Sequence, residues 1–389
     1  MTKRILLLIS LFTVNAFCVE NLEDLFNKIK AGDATAVRKI ITKNPSLLND
    51  KDEYDTTPLM MAFDRKNEEI MQILLELGAD IDAQDSYGDT ILNTAAMTGN
   101  LKMVQFIVQS PKHPNINTQN NKGNTPLMSA VKSEHGDVAD YLLKYHADVT
   151  LKNKAGETAL LIAIEGADYN NSDIVKALLD HGADASIKNH NGDTLLIIAT
   201  SKKHIATVQL LLEDGANVNA QGDADFTALI EAAKNGFKDI LVLLLQYGAN
   251  VNIENKYDQK ASDLAYFNKH KDIENLLNLA NKLDQFLSGK IGTGSDKFDD
   301  IRAVINSASA TTIKTDPELQ MIVLRTLFTL KPHIDDTNSY EYKNGSTILL
   351  GIGKKILSEY INTLEKNRKQ EAESLIDKIF KPASSSSAE

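Results

Sequence analysis

The sequence is poor in cysteine, tryptophan and positive charge. Its 389 residues include one cysteine, Cys18, and no tryptophan. A single thiol cannot form a disulfide within the chain, and zinc sites of the Cys₄ or Cys₂His₂ type need more cysteines than the chain has. The 42 lysines and arginines are outnumbered by 53 aspartates and glutamates, a formal net charge of −11. That balance argues against a nucleic-acid backbone or an anionic membrane surface as the main partner, because both select for clustered positive charge.

Long apolar stretches are also scarce, and the clearest one lies at the N-terminus. Lys3 and Arg4 precede the predominantly apolar stretch Ile5–Val14, and a small-residue pattern ending at Ala16 follows it. This order of a charged, an apolar and a small-residue segment is typical of a secretory signal peptide. We therefore predict a signal peptide over residues 1–18, the alternative being a buried first helix of the fold.

Cys18 adds an alternative to simple cleavage, namely a lipid anchor on its sulfur. Phe17 directly precedes it, whereas a lipoprotein signal favours a small residue there. In both cases the sequence predicts an exported protein, periplasmic or secreted. No later stretch approaches the roughly 20 apolar residues that a membrane-spanning helix needs, so we expect no integral membrane span.

Two short strings recur along the middle of the chain. The first is a threonine followed by two mostly apolar residues, and its copies are spaced by 33 to 36 residues: Thr57-Pro58-Leu59, Thr90-Ile91-Leu92, Thr125-Pro126-Leu127, Thr158-Ala159-Leu160, Thr194-Leu195-Leu196 and Thr227-Ala228-Leu229. The second keeps the same phase and follows a pair of aliphatic residues: Gly78-Ala79-Asp80, Gly182-Ala183-Asp184, Gly215-Ala216-Asn217 and Gly248-Ala249-Asn250, with His146-Ala147-Asp148 as a variant.

Each string has a physical role in one unit of the repeat. Threonine caps the free N–H groups at a helix start, and proline in the first turn costs no hydrogen bond. A second helix then ends at a glycine such as Gly78, which tolerates a left-handed backbone. Between units a tight turn needs positive φ, supplied by Gly88, Gly123, Gly156 and Gly192 or by aspartate at Asp55, Asp225 and Asp258.

These phased strings resemble the ankyrin repeat family over residues 21–287, about eight repeats. The resemblance implies an all-α fold, a solenoid of helix pairs joined by β-turn or hairpin loops. The family has a histidine after the threonine string, and here that place holds Met60, Asn93, Met128, Leu161, Ile197 and Ile230. A hydrogen bond that this histidine makes in the family is therefore lost or replaced, and we expect less rigid turns.

Two repeats are longer than the others. Ser110–Pro114 replaces the second string in the third repeat, and Gly166–Asn171 lies between the two helices of the fifth repeat. Insertions in repeat proteins map to loops and often to a binding face. Neutral variation of the surface is the alternative reading of both.

The pattern breaks after Leu287. We predict a linker over residues 288–297, which lacks the Gly-Lys-Ser/Thr ending of a phosphate loop. Residues 298–380 again show helical periodicity and are predicted to form a helical C-terminal cap, with degenerate repeats as one form of it. A solenoid needs such a cap because its end would otherwise expose an apolar face. Residues 381–389 are predicted to be a disordered tail.

No constellation of catalytic or metal-binding residues is visible. The eight histidines lack metal-ligand spacing, and the alternating acids of Asp50–Asp55 lack the glycine and glutamate of a calcium loop. There is no Gly-x-Ser-x-Gly string, and the one cysteine lies in the predicted signal peptide. We therefore expect no cofactor, no metal and no enzyme activity. The alternative is an enzyme or effector whose activity resides in residues 298–380, with the repeats as a targeting arm.

The resemblance implies a protein partner on the concave face, formed by the turn tips and the first helices. Carried over residue by residue, the turn tips are Tyr54, Tyr87, Lys122, Lys154, His190 and Tyr257. The residue before a capping threonine adds Phe226, and the ends of first helices add Arg65, Met97, Lys132, Lys202 and Lys234. Tyrosine, phenylalanine, methionine and arginine are enriched in interfaces, although scattered exposed ones are ordinary on any protein. The lysines predict an acidic patch on the partner, and we expect the protein itself to be a monomer.

Overall fold

This computed structural model of the protein describes residues 21–166 and 171–287. The predicted signal peptide, linker, C-terminal region and tail lie outside these residues, as do residues 167–170 of the longer fifth repeat. The chain divides at Asn189 into two units. Residues 21–189 are called unit 1 and residues 190–287 unit 2, and each is described by itself.

Both units are built from pairs of short antiparallel helices. In unit 1 the helices are α1 (Leu22–Lys30), α2 (Ala34–Lys43), α3 (Pro58–Asp64), α4 (Glu68–Glu76), α5 (Ile91–Met97), α6 (Leu101–Val108), α7 (Pro126–Lys132), α8 (Gly136–Lys144), α9 (Ala159–Gly166) and α10 (Ser172–Asp180). In unit 2 they are α11 (Leu195–Ser201), α12 (Ile205–Glu213), α13 (Ala228–Asn235), α14 (Lys238–Gln246), α15 (Ala261–Phe267) and α16 (Lys271–Leu287). Short 3₁₀ helices span Pro45–Leu48 and Asp223–Asp225. The described residues contain no β-strand, so the predicted all-α ankyrin architecture is confirmed.

Threonine starts the first helix of most pairs, as the sequence predicts. The Thr125 hydroxyl oxygen accepts the Met128 N–H at 3.2 Å, and the Thr227 hydroxyl oxygen accepts the Ile230 N–H at 3.2 Å. These threonines are buried. Each cap therefore satisfies a donor that burial would otherwise leave without a partner.

Helix pairs stack through their buried leucines. Within unit 1, α5 packs on α7 and α7 on α9, while the second helices α6, α8 and α10 pack in the same order. The leucine two places after the capping threonine is almost fully buried each time, as Leu59, Leu92 and Leu127 show. Burying one such side chain contributes about 1.5–3 kcal/mol. The regular spacing of the threonine string thus places one core leucine in each layer that has the string.

Five second helices, α4, α8, α10, α12 and α14, are followed as predicted by a left-handed residue. Gly78 has φ of +103° and Gly182 has φ of +84°. His146 takes the same place with φ of +64°, so the variant string keeps the backbone shape at some strain for a residue with a Cβ.

The eighth helix pair departs from the others on its outer side. The core leucine of the threonine string is replaced by Ser262, and the apolar residue after it by Asp263. Tyr266 is 64% exposed, whereas Ala233, at the same place in the preceding pair, is fully buried. Among the described residues, no later helix pair covers this side of α15. The polar substitutions at Ser262 and Asp263 make that outer side compatible with water.

Candidate protein-binding surfaces

Five of the turns between repeats are each shaped by one carboxylate or amide oxygen. Asp85 Oδ1 accepts the N–H of Tyr87 at 2.8 Å and the N–H of Asp89 at 2.9 Å. Asp52, Asn120, Asn153 and Asn255 make the same two bonds in their own turns. Asparagine and aspartate side chains are suited to this local bonding. In each of these turns, one side-chain oxygen therefore links the backbone before the turn tip to the backbone at and after it.

The turns also contain the positive φ angles that the sequence predicts. Gly88 and Gly123 have φ of +75° and +79°, and Asp55 and Asp258 have +59° and +56°. At Gly88 a Cβ atom would lie 2.6 Å from the backbone nitrogen of Asn121 in the next turn. Glycine is needed there both for its backbone conformation and for this close approach.

Neighbouring turns in unit 1 are joined by backbone hydrogen bonds. The Ser86 N–H donates to the Tyr54 carbonyl at 3.3 Å, and the Asn121 N–H donates to the Tyr87 carbonyl at 2.9 Å. The Lys154 N–H then donates to the Lys122 carbonyl at 3.0 Å. The predicted contact residues of these four turns thus lie on one connected strip of backbone.

Side chains strengthen this connection between turns. Lys51 Nζ donates to the Gln84 carbonyl at 2.6 Å, and Gln84 Nε2 donates to the Gln119 carbonyl at 3.0 Å. Gln119 Nε2 continues the series to the Lys152 carbonyl at 2.8 Å. A hydrogen bond of this kind contributes about 0.5–1.5 kcal/mol net. The turns of unit 1 are therefore hydrogen-bonded to one another without the family histidine.

Asn93 replaces the missing histidine in one repeat. Its side chain is fully buried. Its Oδ1 accepts the Thr90 hydroxyl at 2.8 Å, and its Nδ2 donates to the Asn124 carbonyl of the next repeat at 3.3 Å. Asn93 thus still makes hydrogen bonds at the position that the histidine has in the family. Met128 and Leu161 occupy the same position in the next two repeats with buried apolar side chains.

In unit 1 the predicted contact residues are all exposed. Tyr54 and Tyr87 occupy the same place in successive turns and are 65% and 74% exposed. Lys122 holds the same place in the next turn. Lys154 lies one residue before that place in the turn after it. The first-helix ends contribute the exposed residues Arg65, Met97 and Lys132.

Carboxylates lie close to this surface as well. Burial raises the pKa of Asp64, Arg65 beside it lowers that pKa, and Asp85 raises it further. Burial also raises the pKa of Asp89, whose carboxylate accepts the Asn120 amide at 2.8 Å. The charge of this part of unit 1 is therefore mixed rather than basic.

In unit 2 the predicted residues have different surroundings. His190 lies in its turn one place earlier than Tyr257 does, and Tyr257 is 61% exposed with Lys256 Nζ 5.2 Å from its ring centre. Phe226 is partly buried, and Lys234 Nζ lies 5.3 Å from its ring centre. Lys202 caps the C-terminus of α11 and is exposed.

Sequence reasoning missed four exposed residues at the ends of first helices in unit 2. They are Lys203, Tyr266, Phe267 and Lys269. The repeat spacing predicts the last three of them. Phe267 lies 33 residues after Lys234 and so holds the same place at an exposed helix end, with Tyr266 and Lys269 beside it. Lys203 has φ of +60°, the backbone shape that Gly236 has in the next repeat, so the pattern at this place favours glycine.

The described part of the chain shows neither a cluster of metal ligands nor a membrane-spanning helix. No group of three or more histidines, cysteines, aspartates or glutamates within the described ranges is placed to hold a metal ion. Among the helices described above, none is both long and apolar enough to cross a membrane.

Comparison with known proteins agrees with this architecture. Family profiles described as "Ankyrin repeats (3 copies)" match residues 77–153 and 145–222, and profiles described as "Ankyrin repeats (many copies)" match residues 40–95 and 200–245. Human "Ankyrin repeat domain-containing protein 63" is 32% identical over 126 residues, which cover 30% of this chain and 33% of that protein. The yeast "Probable 26S proteasome regulatory subunit p28" is 33% identical over 118 residues, 30% of this chain and 51% of that protein.

A solved structure is similar in sequence over about half of the chain. It is described as "Bd0816 Predatory Endopeptidase from Bdellovibrio bacteriovorus in complex with immunity protein Bd3460", with 31% identity and a TM-score of 0.43. The match covers 48% of this chain and 96% of that chain. The chain spans about a third of the human relative and half of the yeast relative. By the profiles that together match residues 40–245, the chain belongs to the ankyrin repeat family.

Proposed function

We propose that the protein is an exported, non-catalytic scaffold that binds a protein partner through its turn tips and the ends of its first helices. The observation that carries this proposal is the strip of unit 1 turns, where exposed tyrosines stand on backbone that is hydrogen-bonded from one repeat to the next. Tyr54 and Tyr87 take part in these bonds through their own carbonyl oxygens.

Such a surface is suited to binding for an energetic reason. Association costs free energy when mobile side chains and loops become ordered, by about 0.5–1.5 kcal/mol for each flexible side chain. Tied turns have already lost much of this freedom before a partner arrives. Tyrosine adds a large, partly apolar contact area with only two rotatable side-chain bonds. The two properties together make these turns the best candidate for the contact region.

Affinity capture from native extracts tests the proposal. The tagged protein is compared with the double variant Tyr54→Ala/Tyr87→Ala and with the control Tyr145→Ala/Tyr247→Ala. The control removes two exposed tyrosines from the C-terminal ends of second helices, away from the turns. We expect the turn variant to lose most of the captured protein and the control to keep it. Equal capture by both variants, with unchanged helicity by circular dichroism, would contradict the assignment of the turns.

Export and the absence of catalysis belong to the same proposal and have their own tests. Mass spectrometry of the N-terminus shows whether residues 1–18 are removed and whether Cys18 carries a lipid. A truncation at Gly289 separates the repeats from the C-terminal region. We expect the truncated protein to capture the same partner. Loss of capture, or an enzymatic activity found in residues 298–380, would favour the alternative of a catalytic C-terminal region.

A further inference from the structure

The lysines of unit 2 gather where first helices meet second helices. Lys202 and Lys203 follow α11, Lys234 lies in the last turn of α13, and Lys269 follows α15. All four side chains are exposed. We call these four residues the basic edge of unit 2.

The loops that carry the basic edge touch one another from repeat to repeat. Lys203 Nζ lies 5.4 Å from the ring centre of Phe237 in the following loop. Gly236 of that loop lies close to His270 of the third loop, since a Cβ atom on Gly236 would be only 2.6 Å from the His270 ring. The three loops that carry the lysines therefore form one continuous surface.

The charges on this edge are largely uncompensated. Among the described residues, no carboxylate lies within ion-pair distance of Lys202, Lys203 or Lys269, while Lys234 Nζ lies 3.4 Å from a Glu231 oxygen. Burial lowers the pKa of the neighbouring His204, and the positive charge of Lys202 lowers it further. Clustered like charges without partners raise the local potential and attract an oppositely charged ligand.

The same loops in unit 1 have a different charge. Arg65, Lys66 and Lys132 hold the corresponding places in unit 1, where Glu68 and Glu69 follow the first two and Glu134 and Asp137 follow the third. In unit 2 the first acidic residue after Lys203 is Glu213, although Asp239 and Asp272 follow the other two loops. The basic edge therefore shares its cations with the repeat and differs in having fewer acids beside them. It is also unexpected in a chain whose formal net charge is −11.

Two aromatic rings adjoin the lysines. Tyr266 and Phe267 are each 64% exposed, and their ring centres lie 5.8 Å apart in an edge-to-face arrangement. Exposed rings next to cations favour a ligand that has both apolar and acidic groups. A long polyanion such as RNA fits less well, because the turns of unit 2 expose Asp223, Asp225 and Asp258, which would repel it.

We propose that the basic edge of unit 2, together with Phe267, binds an acidic segment of a partner protein in which carboxylates alternate with apolar residues. This inference rests on the proposed function and names the chemistry of one part of the partner. It also shifts the acidic contact from the turn tips to the helix-joining loops, and it adds Lys203 and Lys269 to the contact residues.

Zero-length crosslinking tests the location directly. The full-length protein is mixed with a short peptide of alternating glutamate and leucine, and a carbodiimide joins lysine amines to nearby carboxylates. We expect mass spectrometry to find crosslinks concentrated on the four lysines of the basic edge. Crosslinks spread evenly over exposed lysines, including Lys39 and Lys144 of unit 1, would overturn the proposal. A peptide with glutamine in place of glutamate measures the background.

Charge-removing variants test the energetics. Lys→Gln at all four positions of the basic edge should weaken binding of the labelled glutamate–leucine peptide about tenfold, since each exposed ion pair contributes only a few tenths of a kcal/mol. The matched control removes the same charge elsewhere, as Lys→Gln at Lys39, Lys112, Lys144 and Lys152. Equal weakening by both variants would contradict the proposal.

Two further outcomes separate this inference from other readings. Tighter binding of a single-stranded RNA than of the acidic peptide would overturn it in favour of a nucleic-acid ligand. Failure of the peptide experiments, with capture of the partner still dependent on Tyr54 and Tyr87, would overturn the basic edge and leave the proposed function intact.

Discussion

Replacing Gly88 by alanine should destabilise unit 1 by more than backbone strain alone. An alanine at φ of +75° costs about 1–2 kcal/mol relative to glycine, because its Cβ crowds the carbonyl. The new Cβ would also lie 2.6 Å from the Asn121 backbone nitrogen. Relieving that overlap requires the next turn to move and costs about 1–3 kcal/mol more. We therefore expect a total loss of about 2–5 kcal/mol.

Gly156→Ala is the matched control for this prediction. Its φ is +81°, and a Cβ there would meet no atom within 4 Å. The control should therefore lose only the backbone part, about 1–2 kcal/mol. Urea unfolding followed by circular dichroism measures both variants, and the difference between them isolates the contact between turns. Equal losses in free energy of unfolding would refute the reasoning that neighbouring turns approach closely at Gly88.

Three further variants test a helix cap, a buried amide and the partly desolvated carboxyl of Asp64. Asn93→Leu should lower the free energy of unfolding by about 1–3 kcal/mol, because the buried Thr90 hydroxyl loses its acceptor and the Asn124 carbonyl loses one of its two donors; a variant at least as stable as the wild type in urea would contradict this. Thr227→Ala should cost about 0.5–2 kcal/mol through loss of the α13 cap, measured by the shift in melting temperature. Asp64→Asn should raise stability at pH 7. The pKa of Asp64 is higher in the folded state, so its contribution to stability is largest below its unfolded pKa and is lost as the pH rises through the folded pKa. The gain should vanish in acid, and a gain that persists at low pH would show another cause.

Much of the fold follows from local chemistry that the sequence displays. A capping threonine, a proline in the first turn and a buried leucine fix the start of a helix such as α7, and Gly123 fixes the turn before it. These are short-range effects, so the all-α architecture and the left-handed residues could be predicted. The spacing of the strings also determines which residues reach the turn tips.

Other features depend on contacts between repeats, which local patterns do not reveal. The series of bonds through Gln84 and Gln119 requires a side chain to reach the carbonyl of the following repeat. The contact of Lys234 Nζ with the Phe226 ring depends on how the lysine side chain folds back. The uncompensated charge of Lys202 and Lys203 depends on where the nearest carboxylates lie in space. These contacts distinguish the turns of unit 1 from the basic edge of unit 2.

The most direct test of the account is the affinity of the captured partner for the two tyrosine variants. Once the partner is purified, its dissociation constant is measured by biolayer interferometry for the wild type, Tyr54→Ala/Tyr87→Ala and Tyr145→Ala/Tyr247→Ala. Two buried aromatic anchors at an interface are worth about 1–2 kcal/mol or more each. The account predicts at least tenfold weaker binding for the turn variant and an unchanged affinity for the control. Unchanged affinity of the turn variant would contradict the claim that the turns form the binding surface.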